Sequence, residues 1–223
     1  YLKVIECNLR ASRSFPFVSK VMGQNFIEIA AKILINEYQS KKYNIFDLDY
    51  VGVKSAQFSY SRLKGADPVA SVEMASTGEV ACIANNYLEA FFTSWLATEQ
   101  QINGKRILLS MEEDKEIKLR EEIIKLEHAG WKIYKVNEIN FPNVLDIIEN
   151  KNVDLVINIP RHNDKKTQIT NDFKIRRMAI DHHIPLITNL QITILFLRCL
   201  IEIKQENLHP KSWKEFINKY ERK

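Results

Sequence analysis

The run Glu6-Cys7-Asn8-Leu9-Arg10-Ala11-Ser12-Arg13 sets a carboxylate, an amide and two guanidiniums close together. On a strand, successive side chains point to opposite faces. Ile5, Cys7 and Leu9 would then share an apolar face, and Glu6, Asn8 and Arg10 the opposite one. Oxygen ligands from Glu6 and Asn8 suit Mg2+, which keeps several waters and bridges phosphate oxygens. Arg10, and Arg13 just past the strand, offer planar forks to phosphate charge. Such a face could hold a metal-bound triphosphate. The same alternation describes a half-buried edge strand with a solvated polar face, and spacing alone does not choose between the two.

The elements that must position chemistry fall into two stretches. In the first, residues 17–22 read as one or two helical turns stopped by Gly23. Asn25 can cap a helix whose Phe26, Ile29, Ala30, Ile33 and Leu34 lie on one face. A polar loop over 41–49 leads to strands over 51–54 and 72–84, separated by a turn at Gly65-Ala66-Asp67-Pro68. A helix over 86–98 should bury Leu88, Phe91, Phe92 and Trp95 as core.

Residues 99–104 form a polar, glycine-ended break, and strand and helix alternate beyond it. Strands are expected over 106–111, 131–136, 154–159 and 185–189, and helices over 113–129, 142–149, 172–182 and 191–203. Apolar strands alternating with helices predict an α/β fold, a parallel sheet covered on both faces. In such sheets ligands sit beyond the carboxyl ends of the strands. The candidates there are Lys115, Asn158 and Thr188, with Asn189 beside the last. A lysine is a point charge for phosphate or carboxylate, and an asparagine both donates and accepts. Taken singly, each is more often a capping or surface residue.

The chain has 223 residues, 45% hydrophobic and 27% charged, with a formal charge of +4. That modest charge is spread along the sequence, which argues against a nucleic-acid stripe. Cys7, Cys82 and Cys199 are far apart and form no CxxC pair, so neither a metal knuckle nor a disulfide framework is expected. The most apolar stretch, 192–201, is too short for a membrane span and contains Arg198. Tyr1 opens onto a strand without a start methionine, which reads as the C-terminal piece of a longer polypeptide. Glu73 and Glu79 have no histidine or second carboxylate spaced to pair with them, so hydrogen bonding is the expected role for both. His162, His182 and His183 have no ligand cluster around them and read as solvent-facing.

Extended to Glu6-Cys7-Asn8-Leu9-Arg10-Ala11-Ser12-Arg13-Ser14-Phe15-Pro16-Phe17-Val18-Ser19-Lys20, the opening run closely resembles the metal-and-ATP signature of the C-terminal synthetase half of carbamoyl phosphate synthetases, which are ATP-grasp enzymes. Glu73-Met74-Ala75-Ser76-Thr77-Gly78-Glu79-Val80-Ala81-Cys82 looks like the next hallmark of that family. Asp154-Leu155-Val156-Ile157-Asn158-Ile159-Pro160, Ile175-Arg176-Arg177 and Ile184-Pro185-Leu186-Ile187-Thr188-Asn189 resemble the methylglyoxal-synthase-like regulatory domain that ends these enzymes in animals.

The resemblance implies the C-terminal part of an ATP-grasp domain (α+β) over 1–103, a methylglyoxal-synthase-like α/β domain over 104–204 and a tail over 205–223. It implies ATP as substrate and Mg2+ or Mn2+ as cofactor. Glu6 and Asn8 would be metal ligands, Glu6, Asn8 and Arg10 would contact ATP, and Arg10 and Arg13 would be catalytic. Lys115, Asn158 and Thr188 would face an effector. Bicarbonate or carbamate, ammonia, the rest of the synthetase and a glutaminase domain or subunit are the implied partners, in the mitochondrion or cytoplasm. The isolated 223 residues should not turn over, because the adenine pocket and ATP-binding lysines would lie upstream.

The pattern also departs from the family. The threonine-rich loop that clamps effectors has no counterpart, since Val136-Asn137-Glu138-Ile139-Asn140 runs straight into a helix. Arg161 and Asp172 stand where acetylglutamate-responsive relatives usually have asparagine, and Ser55 where bacterial ones have a glutamate for ornithine. Effector binding is therefore expected to be weak or absent. The ammonia-type and pyrimidine-type subfamilies both stay open, as does a non-catalytic ligand-sensing or scaffolding role.

Overall fold

The structure, a computed structural model, describes residues 3–4, 7, 12, 14–39, 48–59, 65–69, 78–98, 100–139, 141–161 and 170–220. Glu6, Asn8, Arg10, Arg13, Glu73 and His162 lie outside the described residues.

The first stretch contains helices α1 (Ser14–Met22) and α2 (Phe26–Leu34), strands β1 (Val51–Gln57) and β2 (Gly78–Ala84), and helix α3 (Tyr87–Leu96). The Asn25 side chain accepts from the Glu28 amide at 3.1 Å and so starts α2. The apolar face of α2 is only partly covered: Phe26 and Ile29 are half-buried, while Ile33 and Leu34 are exposed. β1 and β2 pair antiparallel, from Val51 opposite Ala84 to Gln57 opposite Gly78. Asn86 caps α3 through the Glu89 amide at 2.9 Å, and Leu88, Phe91, Phe92 and Trp95 are buried as their spacing implied.

The second stretch runs β3 (Arg106–Ser110), α4 (Glu113–Ile117), α5 (Arg120–His128), β4 (Lys132–Lys135), α6 (Phe141–Glu149), β5 (Leu155–Asn158), α7 (Asn171–Asp181), β6 (Leu186–Ile187) and α8 (Leu190–Glu202). Its four strands are parallel in the order β4-β3-β5-β6, the α/β sheet that the apolar strands implied. Strand alternation sends side chains to both faces. Ile107, Leu109, Leu155 and Ile157 face a cluster with α3, α5 and α8, whereas Leu108 and Val156 face another with α6 and α7. The first cluster joins the two stretches. Phe196 of α8 lies 4.5 Å from Trp95, 5.8 Å from Phe92 and 6.4 Å from Phe91, centroid to centroid.

Three elements differ from expectation. The helix expected over 113–129 is two helices, because Lys118 and Leu119 hydrogen-bond back three residues and not four. That turn drives Leu119 fully inward. The strand expected over 185–189 is two residues long, because Asn189 turns to cap α8 through the Ile192 amide at 3.1 Å. Beyond residue 204 the chain forms another helix, α9 (Trp213–Tyr220), whose Phe216 is buried 5.7 Å from the ring of Tyr50. The Tyr50 hydroxyl in turn donates to the Val21 carbonyl at 2.6 Å.

The amino edge of the sheet is pinned by charge. The Asp154 carboxylate accepts from the Arg106 amide at 3.0 Å and from its Nε and Nη2, both at 2.9 Å. This bond raises the Arg106 pKa. Gly104 is required beside it, since a Cβ there would collide with the Asp154 carboxylate. Gly130, at φ +85°, ends α5 in the left-handed region.

Candidate functional site at the carboxyl edge of the sheet

β3 and β5 end side by side, with Ser110 opposite Asn158. α7 begins over this edge, where the Thr170 hydroxyl caps it by accepting from the Phe173 amide at 3.1 Å. Asp172 therefore sits in the first turn, where the helix dipole favours a carboxylate. Its Oδ1 accepts from Ser110 Oγ at 3.0 Å and from Asn158 Nδ2 at 3.1 Å. Its Oδ2 lies 3.4 Å from Arg161 Nε.

One turn further along α7, Arg176 points to the same edge. Its Nη1 donates to Asn158 Oδ1 at 2.8 Å. Its Nε and Nη2 grip Asp67 through both carboxylate oxygens, at 2.8 and 2.6 Å. Ser110, Asn158, Asp172 and Arg176 are all buried. Buried charge persists only where it is paired and hydrogen-bonded. Here two carboxylates, Asp67 and Asp172, face two guanidiniums, Arg176 and Arg161.

Lys115 and Asn158 come to one edge. Lys115 Nζ, mostly buried, pairs with Glu112 Oε2 at 2.6 Å and donates to the Pro160 carbonyl at 2.9 Å, just beyond Asn158. Thr188 follows β6, the strand beside β5, and is half-buried. The Asn158 amide, however, is engaged by Asp172 and Arg176. Arg161 and Asp172, singled out as departures from a family pattern, face each other across 3.4 Å.

Sequence reading passed over Ser110 and Asp67 as members of this cluster. A signal existed for Arg176: it lies four residues after Asp172 on the stripe of α7 that also carries the buried Ile175 and Ala179. Charge on an inward stripe calls for a partner. Nothing local marks Asp67, which is distant in sequence.

Elsewhere, Glu79 pairs with Lys54 across the β1–β2 ladder at 3.0 Å, a structural contact. Ser55 Oγ meets Ser94 Oγ of α3 at 2.7 Å. His183 is exposed and His182 half-buried. Among the described residues no group of three or more His, Cys, Asp or Glu side chains could hold a metal ion, and no helix is long and apolar enough to cross a membrane. Burial pushes the Cys199 thiol up to about 12, and Glu202 adds to the shift.

The family model described as an MGS-like domain matches residues 74–188. The chain is 38% identical to "Carbamoyl-phosphate synthase (ammonia), mitochondrial" of Homo sapiens, over 86% of this chain and 15% of that protein. It is 37% identical to "Multifunctional protein CAD" of Squalus acanthias, over 89% of this chain and 10% of the relative. "Multifunctional protein URA2" of Saccharomyces cerevisiae is 38% identical, again over 89% of this chain and 10% of its own length. The chain thus spans between 10% and 15% of the length of these curated relatives.

Proposed function

Because the chain belongs to the MGS-like domain family, we propose that residues 104–204 form the effector-sensing domain of a carbamoyl phosphate synthetase, and that residues 1–103 end its carbamate-phosphorylating ATP-grasp domain. The observation that carries this reading is the extent of the identity. It runs over 86% of the chain in the human relative, well beyond the 74–188 span of the MGS-like match. In this reading residues 205–223 follow the sensing domain as a tail, and the polypeptide works in the mitochondrion or the cytoplasm.

The donor set near the start suits the implied ion. A glutamate carboxylate and an asparagine amide oxygen are hard ligands, so Glu6 and Asn8 would hold Mg2+ or Mn2+. The ion would screen the phosphate charge of ATP. Arg10 would contact ATP, and with Arg13 would neutralise charge on the phosphoryl group as it passes to carbamate, where positioning and electrostatics supply most of the rate. Bicarbonate and ammonia, or a glutaminase domain or subunit, would supply the carbamate. In the intact synthetase, Glu6→Gln should abolish carbamate phosphorylation and largely spare bicarbonate-dependent ATP turnover. Equal loss of both partial reactions would refute the assignment to this half. The 223 residues alone should show no turnover.

Effector binding at Lys115, Asn158 and Thr188 is proposed to be weak. The self-pairing of the edge supports this, since Asn158, Ser110 and Arg161 already serve Asp172. Calorimetric titration with acetylglutamate and with UTP tests the point, and micromolar binding of either would overturn it.

A further inference from the structure

Arg176 stands between two parts of the molecule that the sequence keeps far apart. On one side it holds Asn158, which ends β5 at the carboxyl edge of the parallel sheet. On the other it holds Asp67, in the segment between β1 and β2 of the antiparallel pair. We infer that Arg176 is a positioning residue that couples the strand-end edge to the 65–69 segment, so that a change of charge or occupancy at Asp172 and Asn158 is felt at Asp67. As a route for regulation this rests on the effector-domain reading above; as a mechanical link it does not.

The physical basis is the rigidity of the guanidinium. Its donors lie in one plane with fixed directions, so they cannot be re-aimed singly. Nε and Nη2 are committed to the two oxygens of Asp67, and Nη1 to Asn158. Asn158 is likewise a planar amide, with its oxygen on Arg176 and its nitrogen on Asp172. A tilt of Asn158 that follows Asp172 must tilt the whole fork or break a bond. The Arg176 side chain is 3% exposed, so water cannot readily replace a lost partner. Asp67 is 41% exposed, which leaves its end of the link free to respond.

The far end has a built-in reporter. Asp67 Oδ1 accepts from the Val69 amide at 3.3 Å as well as from Arg176 Nε. Next to it on α7, Arg177 Nη1 reaches the Ala66 carbonyl at 3.5 Å. Movement of the Asp67 carboxylate is therefore read by amide exchange in 65–69.

The test is hydrogen exchange on the chain and on four variants. Asp172→Asn changes the charge at the strand edge, and Asn158→Ser removes the partner of Arg176 Nη1 while leaving the Arg176–Asp67 pair in place. Each should speed exchange of the Val69 amide about tenfold, the protection one charge-assisted bond supplies. Arg176→Lys keeps the charge and loses the fork, and should do the same. By reciprocity, Asp67→Asn should speed exchange of the Ile159 amide, which bonds the Ser110 carbonyl at 2.9 Å. Amides of α5 should be unaffected in all four. Unchanged Val69 exchange in folded Asp172→Asn, the isosteric variant, overturns the inference, and so does an equal acceleration throughout the sheet. If Val69 responds in the variants while saturating acetylglutamate and UTP leave its exchange unchanged, the link stands and has no part in effector regulation.

Discussion

Replacing Phe196 by alanine tests whether the antiparallel and parallel sheets form one cooperative body. Phe196 is fully buried in α8, and its ring faces Trp95, Phe92 and Phe91 of α3. Truncating a buried phenylalanine costs about 3–5 kcal/mol through lost transfer energy and the cavity left behind. Favourable ring pairs add about 0.5–1.5 kcal/mol beyond area, though the three share one ring and will not sum. A loss near the upper end, about 5 kcal/mol, is expected. For a chain of this size each kcal/mol lowers the melting temperature by about 2–4 °C, so the midpoint should fall by roughly 10–20 °C. Urea unfolding followed by tryptophan emission and by far-ultraviolet circular dichroism is the assay. Trp95 touches the altered site, whereas circular dichroism reports every helix. The two probes should move together in one transition. A loss below about 1 kcal/mol, or a tryptophan signal from Trp95, Trp131 and Trp213 that separates from the helical one, would refute a shared core.

Two further outcomes follow from buried groups. Cys199 is fully buried and its thiol is pushed up to about 12. In the unfolded chain the thiol ionises near its ordinary value of about 9, so between the two values the folded state binds more protons and stability falls as pH rises. Relative to Cys199→Ala, the chain should lose up to about 1.4 kcal/mol per pH unit above pH 9, and parallel urea curves from pH 8 to 10 would show the idea wrong. Gly104→Ala should cost about 1–3 kcal/mol, because the added methyl displaces the Asp154 carboxylate from the Arg106 amide and guanidinium. A neutral effect on the unfolding midpoint would mean the 104 backbone can yield.

What the sequence disclosed, it disclosed through period. The run 154–159 is apolar apart from Asp154 and Asn158, as suits a strand covered on both faces, and β5 is buried throughout. Leu88, Phe91, Phe92 and Trp95 repeat at helical spacing and all face inward. Asn25 announces a helix start by a chemistry visible in a single letter, whereas Asn189, expected to end a strand, caps α8 instead. Failures came where long-range contacts decide. No local pattern marks the break at Lys118, where the chain tightens for one turn and carries Leu119 inward. Phe216 lies in a stretch rich in charge, and its burial depends on Tyr50, distant in sequence, being brought beside it. At the strand edge, Asn158 was legible because it closes an apolar strand. That its amide is held between Asp172 and Arg176 depends on how α7 crosses the sheet, and Asp67 joins only once the antiparallel sheet is placed.

The strand order carries a consequence for how the polypeptide acquires its shape during synthesis. β3 precedes its partners in the chain and pairs on one flank with β4 soon afterwards, but its other flank must wait for Leu155–Asn158. Until then a ladder of unpaired amides along Ile107–Ser110 stands open in a nascent chain, flanked by some of its most apolar side chains. An open edge of that kind recruits strands from other molecules. Slow translation between residues 135 and 155 would lengthen that vulnerable interval, and a chaperone holding β3 over the same span would protect the yield of native protein.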